Sequence, residues 1–210
     1  MIQHKIKVDP DSPAKIISVI FHPLFIPVYG MAIIFSSPTL FGYLPSDVKR
    51  LLLLIVLINN VLLPFSLLPF FKYRNVISSW SLEERKERNF PLILTTLLYS
   101  ATSYIIFNFP VPAFLKSFIL GLFFVSLTIT IVNFWWKISI HAVGVGVLTA
   151  LIIVLSLKMY SPMMWYLILI VIITGLVLSS RLCLNVHNPL QTWLGFLTGL
   201  LGFGLYIWFF

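Results

Sequence analysis

Charge is scarce in this 210-residue chain: Asp, Glu, Lys and Arg make up 10% of it, and only six of those residues are acidic. So few charges cannot clothe a soluble domain, whose surface would then have to be built from Leu, Ile and Phe. The shortage of carboxylates also argues against a metal-dependent phosphotransferase, which gathers several acids around Mg²⁺. The paired D-x-x-x-D motifs of an intramembrane prenyltransferase of the UbiA type are missing as well. Cysteine occurs once, as Cys183, which excludes an internal disulfide. There is no linker long enough to separate a second domain, and no internal repeat. A transporter should show inverted repeats or polar residues in mid-span, and neither is evident. The polar opening through Asp9 and Asp11, with no small-residue cleavage site after it, leads us to expect no cleavable signal peptide and an uncleaved first anchor.

Apolar sequence fills the space that these absences leave. Hydrophobic residues are 60% of the chain, and the mean hydropathy is +1.03. Runs such as Leu51-Leu52-Leu53-Leu54-Ile55-Val56-Leu57 lack the alternation that a membrane barrel requires. In hydrocarbon an unpaired backbone amide has no partner, so such a chain spans with helices. The expected fold is an all-α integral membrane protein, a single domain over residues 1–210 behind a polar tail at 1–13. Hydropathy places spans at about 16–35, 51–70, 90–109, 114–136, 140–157, 164–180 and 190–210. Pro23 and Pro27 make the first of these either a kinked crossing or a re-entrant segment, which gives six to seven crossings.

The net charge of +8 does not indicate nucleic acid, because the cations are scattered over the ends of apolar segments. There they meet anionic headgroups, or something anionic held at the membrane surface. With seven crossings, the face shared with the amino terminus collects most of the Lys and Arg. Three of its loops carry Arg85 and Arg88, Lys137 and His141, and Arg181 and His187. By the Lys/Arg rule this face is cytoplasmic.

Guanidinium forks suit bidentate contact with phosphate oxygens. A neutral imidazole can attack phosphorus, while a second one protonates the leaving oxygen. The loops are therefore built for an anion handled without a metal ion or other cofactor. At this point the residues resemble a family. Ser180-Arg181, five residues and then His187 match the S-R-x5-H-x3-D signature of the type 2 phosphatidic acid phosphatase superfamily. Ser139-Ile140-His141 is similar to its P-S-G-H signature, and Arg85-Lys86-Glu87-Arg88-Asn89-Phe90-Pro91 loosely resembles K-x6-R-P. The resemblance covers about residues 85–191.

That resemblance implies roles. His187 would be the nucleophile that forms a phosphohistidine, and His141 the acid at the leaving oxygen. Arg181, Arg88 and Ser139 would hold phosphoryl oxygens, Arg85 would stand among the phosphate-binding cations, and Lys137 would replace a missing lysine. Ser81 stands where the family has that lysine, Ile138 and Ile140 replace Pro and Gly, and Gln191 replaces the Asp that orients the nucleophile. A Gln carbonyl one helical turn from His187 can still accept the ring N–H, without supplying charge. The implied activity is hydrolysis of a lipid phosphate or pyrophosphate, such as polyprenyl pyrophosphate, phosphatidylglycerol phosphate or a lipid A phosphate, in a bacterial inner membrane. The family usually works outside the cytoplasm, against the Lys/Arg rule. A non-catalytic lipid-phosphate binder of the same fold is the rival, and Gln191 favours it. Nothing in the sequence fixes an oligomeric state.

Other residues have plainer readings. His22 is expected to be structural and Cys183 a small packing residue. Gly144, Gly146, Gly195 and Gly199 are expected to permit close helix packing. Trp135, Trp136 and Trp208 suit the interface with the headgroups.

Overall fold

The computed structural model describes residues 12–75, 77 and 84–210. Ser81 and Glu83 lie outside them, as does most of the polar tail. Among the described residues there is no strand. Seven helical segments among these residues are long and apolar enough to cross a membrane: α1 Pro13–Ser36, α2 Ser46–Tyr73, α3 Lys86–Phe107, α4 Ala113–Asn133, α5 Ile140–Lys158, α6 Met164–Cys183 and α7 Pro189–Phe209. The fourth ends earlier than hydropathy predicts, because the chain turns at Phe134–Trp136. The second is longer at both ends, its charged first turn being helical from Ser46.

Proline breaks α1 without turning it back. Pro23 has no N–H and drives the preceding residue out of the helical region, so His22 is extended, with ψ 137°. One 3₁₀ turn, Pro23–Phe25, follows, and the helix resumes at Ile26 with Pro27 in its first turn. Contacts to α6 fix the path. Ser18 lies against Ser180 and Arg181 at the carboxyl end of α6. Near its amino end, the Tyr166 hydroxyl donates to the Ser36 carbonyl at 2.8 Å, and Ser161 Oγ donates to the Pro38 carbonyl at 2.8 Å. The segment therefore runs the full length of the bundle, kinked rather than re-entrant.

Helix α5 is the most enclosed of the seven, and glycine sets how closely its neighbours approach. A methyl group added at Gly199 would collide with the Val143 carbonyl, and one at Gly146 with the Phe196 carbonyl. At Gly195 it would stand 2.8 Å from the Ser139 carbonyl. The backbones of α5 and α7 thus touch, as the small residues predict. Two π-turns widen the long helices, at Ile58–Leu62 in α2 and Thr198–Phe203 in α7.

Polar side chains do occur in mid-span, contrary to the sequence reading. Asn60, in the first π-turn, is fully buried and accepts a hydrogen bond from Thr102 at 3.2 Å. Thr96 bonds Ser126 and Thr130, each at 2.8 Å. Pairing offsets the cost of burial for the hydroxyls and for Asn60 Oδ1, while Asn60 Nδ2 has no hydrogen-bond partner among the described residues. Cys183 is exposed at the end of α6, not packed.

Candidate functional site

Short connections make successive helices antiparallel, so α3, α5 and α7 begin, and α4 and α6 end, at one end of the bundle. Three helix amino termini there present their positive ends to the same space. A cavity of about 520 Å³ opens between them. Arg88, His141, Arg181 and His187 all line it, and so does His22. The rest of its wall is chiefly apolar, from α1 to α5.

Local sequence signals build the loop that presents His187. Asn185 closes α6 in the left-handed region at φ 52°, which Asn tolerates better than most residues. Helix α7 then opens on Asn188-Pro189-Leu190-Gln191, with Asn as the N-cap, Pro at the first helical position and Gln at the third. Asn188 Oδ1 accepts the Gln191 N–H at 2.8 Å, and Gln191 Oε1 accepts the Asn188 N–H at 3.2 Å, a reciprocal capping box. This pairing fixes the proton on the histidine. A backbone N–H can only donate, so the Gln191 atom facing Asn188 is the carbonyl oxygen. The same atom lies 3.1 Å from His187 Nδ1. Nδ1 therefore carries the hydrogen, and Nε2 keeps the lone pair.

The surroundings hold that ring neutral. His187 is buried, and burial, then the Arg88 and Arg181 guanidiniums, lower its pKa from 6.5 to about 3, with Lys137 adding to the effect and the Gln191 hydrogen bond opposing it. At neutral pH the ring is thus a free base next to fixed cations.

Arg181 is set from below by α1. Its Nη1 donates to Ser18 Oγ at 3.1 Å, and Ser18 Oγ bonds the Ala14 carbonyl and approaches Ser180 Oγ. The carbonyl of Ser18 is also engaged. The break at Pro23 sends the His22 N–H to Val19, so Ser18 O turns to His141 Nε2, at 3.1 Å. A carbonyl only accepts, so His141 carries its proton on Nε2, and Nδ1 is the nitrogen able to take a second one. Ser18 has no motif of its own, and sequence reasoning missed it. Its signal was indirect: a small polar residue four positions before a helix-breaking His-Pro.

His22 caps the 3₁₀ turn, its Nδ1 accepting the Leu24 N–H at 3.4 Å. That is the expected structural role, yet its ring also lines the cavity and meets His141 edge-on with centroids 5.6 Å apart.

The remaining predicted residues stand further back. Ser139 is fully buried as the N-cap of α5. Its N–H donates to the Gln191 carbonyl at 3.3 Å, and its Oγ has no hydrogen-bond partner among the described residues. Lys137 is half-buried and near enough to act on His187. Neither forms part of the cavity wall. Arg85 is occupied elsewhere. Its Nη1 donates to the carbonyls of Asn133 and Phe134 at the end of α4, while Asn133 Nδ2 returns a bond to the Arg85 carbonyl at 3.0 Å. Arg85 thus ties the α2–α3 connection to α4. Among the described residues, no three His, Cys, Asp or Glu come together as a metal-binding group.

No protein-family model matches this chain, and neither does any curated protein or solved structure.

Proposed function

We propose that this protein is a membrane-embedded phosphatase that acts on a lipid phosphate or pyrophosphate through a phosphohistidine on His187, without a metal ion. The observation that carries the reading is the His187–Gln191 pair. With Nδ1–H held by the Gln191 carbonyl, the Nε2 lone pair is the one that can attack phosphorus. Arg88 and Arg181 line the same cavity and suit the phosphoryl oxygens.

In this scheme the P–O bond to the leaving group breaks as the Nε2–P bond forms, in line with it. The leaving oxygen takes a proton from His141, which in its protonated form gives it from Nδ1. Water then attacks the phosphohistidine and gives a proton back to His141 Nδ1 as the N–P bond breaks, which releases inorganic phosphate and restores both His187 and the protonated His141. Ser139, Lys137 and the positive end of α5 add to the field behind the site. Arg85 has a structural role in this reading. The membrane proposed is the bacterial inner membrane, with lipids as the surrounding solvent.

A second reading rests on Gln191 itself. A neutral amide supplies no charge to steady an imidazolium, and in a serine-protease triad the comparable loss costs about four orders of magnitude in rate. A protein that binds a lipid phosphate and does not hydrolyse it would keep the same geometry. The deciding experiment is phosphate release from a panel of lipid phosphates and pyrophosphates in detergent with EDTA, beside His187→Ala. Release that survives chelation, disappears in the variant and leaves an acid-labile phosphoprotein supports the phosphatase. Binding without release by the wild-type protein refutes it in favour of the second reading.

A further inference from the structure

The break in α1 sets the protons of two imidazoles. Before the break, the Ser18 carbonyl takes the Nε2–H of His141 at 3.1 Å. After it, the Leu24 N–H occupies Nδ1 of His22 at 3.4 Å. A backbone carbonyl only accepts, and a backbone N–H only donates. Neutral His141 therefore keeps a lone pair on Nδ1, while neutral His22 carries its hydrogen on Nε2. Neither of these two nitrogens has a hydrogen-bond partner among the described residues.

Both rings line the cavity, and they meet edge-on with their planes at 83°. Phe65 of α2 also packs on the His22 ring, with centroids 5.6 Å apart. The two imidazoles thus offer one donor and one acceptor to the same space. An anionic oxygen matches only the donor. A hydroxyl matches both, because it accepts from His22 Nε2–H and donates to His141 Nδ1. Two nitrogens that share one oxygen at ordinary hydrogen-bond lengths stand roughly 4 to 5.5 Å apart. Rings with centroids 5.6 Å apart allow that separation.

We infer that His22 is a ligand-binding residue, and that its Nε2–H and His141 Nδ1 together hold one hydroxyl oxygen, that of an alcohol. The inference rests on the proposed function only where it identifies this oxygen with the leaving oxygen of the phosphate ester. There, as the P–O bond breaks, its electron pair stays on the oxygen, which takes the Nδ1 proton of His141. His22 keeps its own proton and donates to the same oxygen throughout, a contact that strengthens as negative charge grows there. The alcohol so formed is left hydrogen-bonded to both rings.

The test is ¹⁵N NMR of the full chain with labelled histidine in detergent, where protonated and bare ring nitrogens resonate far apart. The chain has four histidines, so single His→Asn variants assign the signals. Decanol should shift the bare nitrogen of His141 and the protonated nitrogen of His22. Decyl methyl ether accepts but does not donate, so it should shift His22 alone. His22→Asn keeps an oxygen to cap the turn and removes the ring N–H. It should melt as the wild type does, while decanol binding and kcat on decyl phosphate each fall about two- to tenfold. His22→Gln sets an amide N–H near the place of Nε2 and should restore both. A proton on His22 Nδ1, equal shifts with alcohol and ether, or wild-type decanol binding by His22→Asn would overturn the inference. Shifts of both rings in a protein that releases no phosphate would leave the hydroxyl site standing and sink the phosphatase. Phosphate release with no response to decanol would do the reverse.

Discussion

Replacing Gln191 by Glu puts a charge where the geometry provides only a carbonyl dipole. The capping box survives, because a carboxylate oxygen can accept the Asn188 and His187 N–H groups just as the amide oxygen does at 3.2 and 3.1 Å. What changes is the stability of a positive ring. With an effective dielectric constant of about 20 and charge centres about 4 Å apart, the attraction is about 4 kcal/mol. That raises the protonation of His187 roughly a thousandfold at a given pH. In the native protein His187 has its pKa lowered to about 3, first by burial and then by Arg88 and Arg181, so it adds no acid limb to activity between pH 5 and pH 8. In Gln191→Glu a limb should appear as pH falls, while turnover above it increases if the proposed mechanism holds, because a phosphohistidine and its transition state would carry the ring's positive charge. The assays are turnover of a lipid phosphate against pH and the pH dependence of His187 modification by diethyl pyrocarbonate. A variant with unchanged melting temperature, a flat profile and no gain in turnover would show that Gln191 does not hold the ring as described.

Three further predictions concern the scaffold. The pKa of His187 lies below its ordinary 6.5 in the folded state, so between 6.5 and about 3 the unfolded chain binds a proton that the folded chain does not. Stability should therefore be full above pH 6.5 and fall as the pH is lowered through that window, a slope that His187→Phe should flatten in melting curves taken in detergent. Gly199→Ala, which drives a methyl group into the Val143 carbonyl, should cost about 1–3 kcal/mol. Gly175→Ala, with nothing within 4 Å of the new methyl, should instead stabilise by up to about 1 kcal/mol; equal melting shifts would refute the backbone contact between α5 and α7. Ser18→Ala removes the oxygen that Arg181 Nη1 contacts at 3.1 Å and should weaken lipid-phosphate binding about tenfold, since hydrogen bonds to charged groups contribute about 1.5–3 kcal/mol. Unchanged binding would mean that α1 does not position Arg181.

Hydropathy alone determined that the chain spans with helices and nearly where each begins, because hydrocarbon leaves the backbone no alternative to helix, while the count stayed at six to seven crossings. Parity then placed the Arg88, His141, Arg181 and His187 positions at a common end, since short loops force antiparallel neighbours. The capping box was legible in principle, as Asn188, Pro189 and Gln191 are consecutive signals, and it is local contact that sets the His187 tautomer. Tertiary structure decided the rest. Whether Pro23 kinks α1 or turns it back depends on what receives the segment, and α6 receives it at both ends. Arg85 and Arg88, three residues apart with the same chemistry, part ways because one reaches the carbonyls at the end of α4 and the other the cavity. Ser18 gained its role only when the break in α1 left its carbonyl opposite His141. The cavity itself comes from how five helices stand apart around it, a distance between elements remote in sequence that no local pattern encodes.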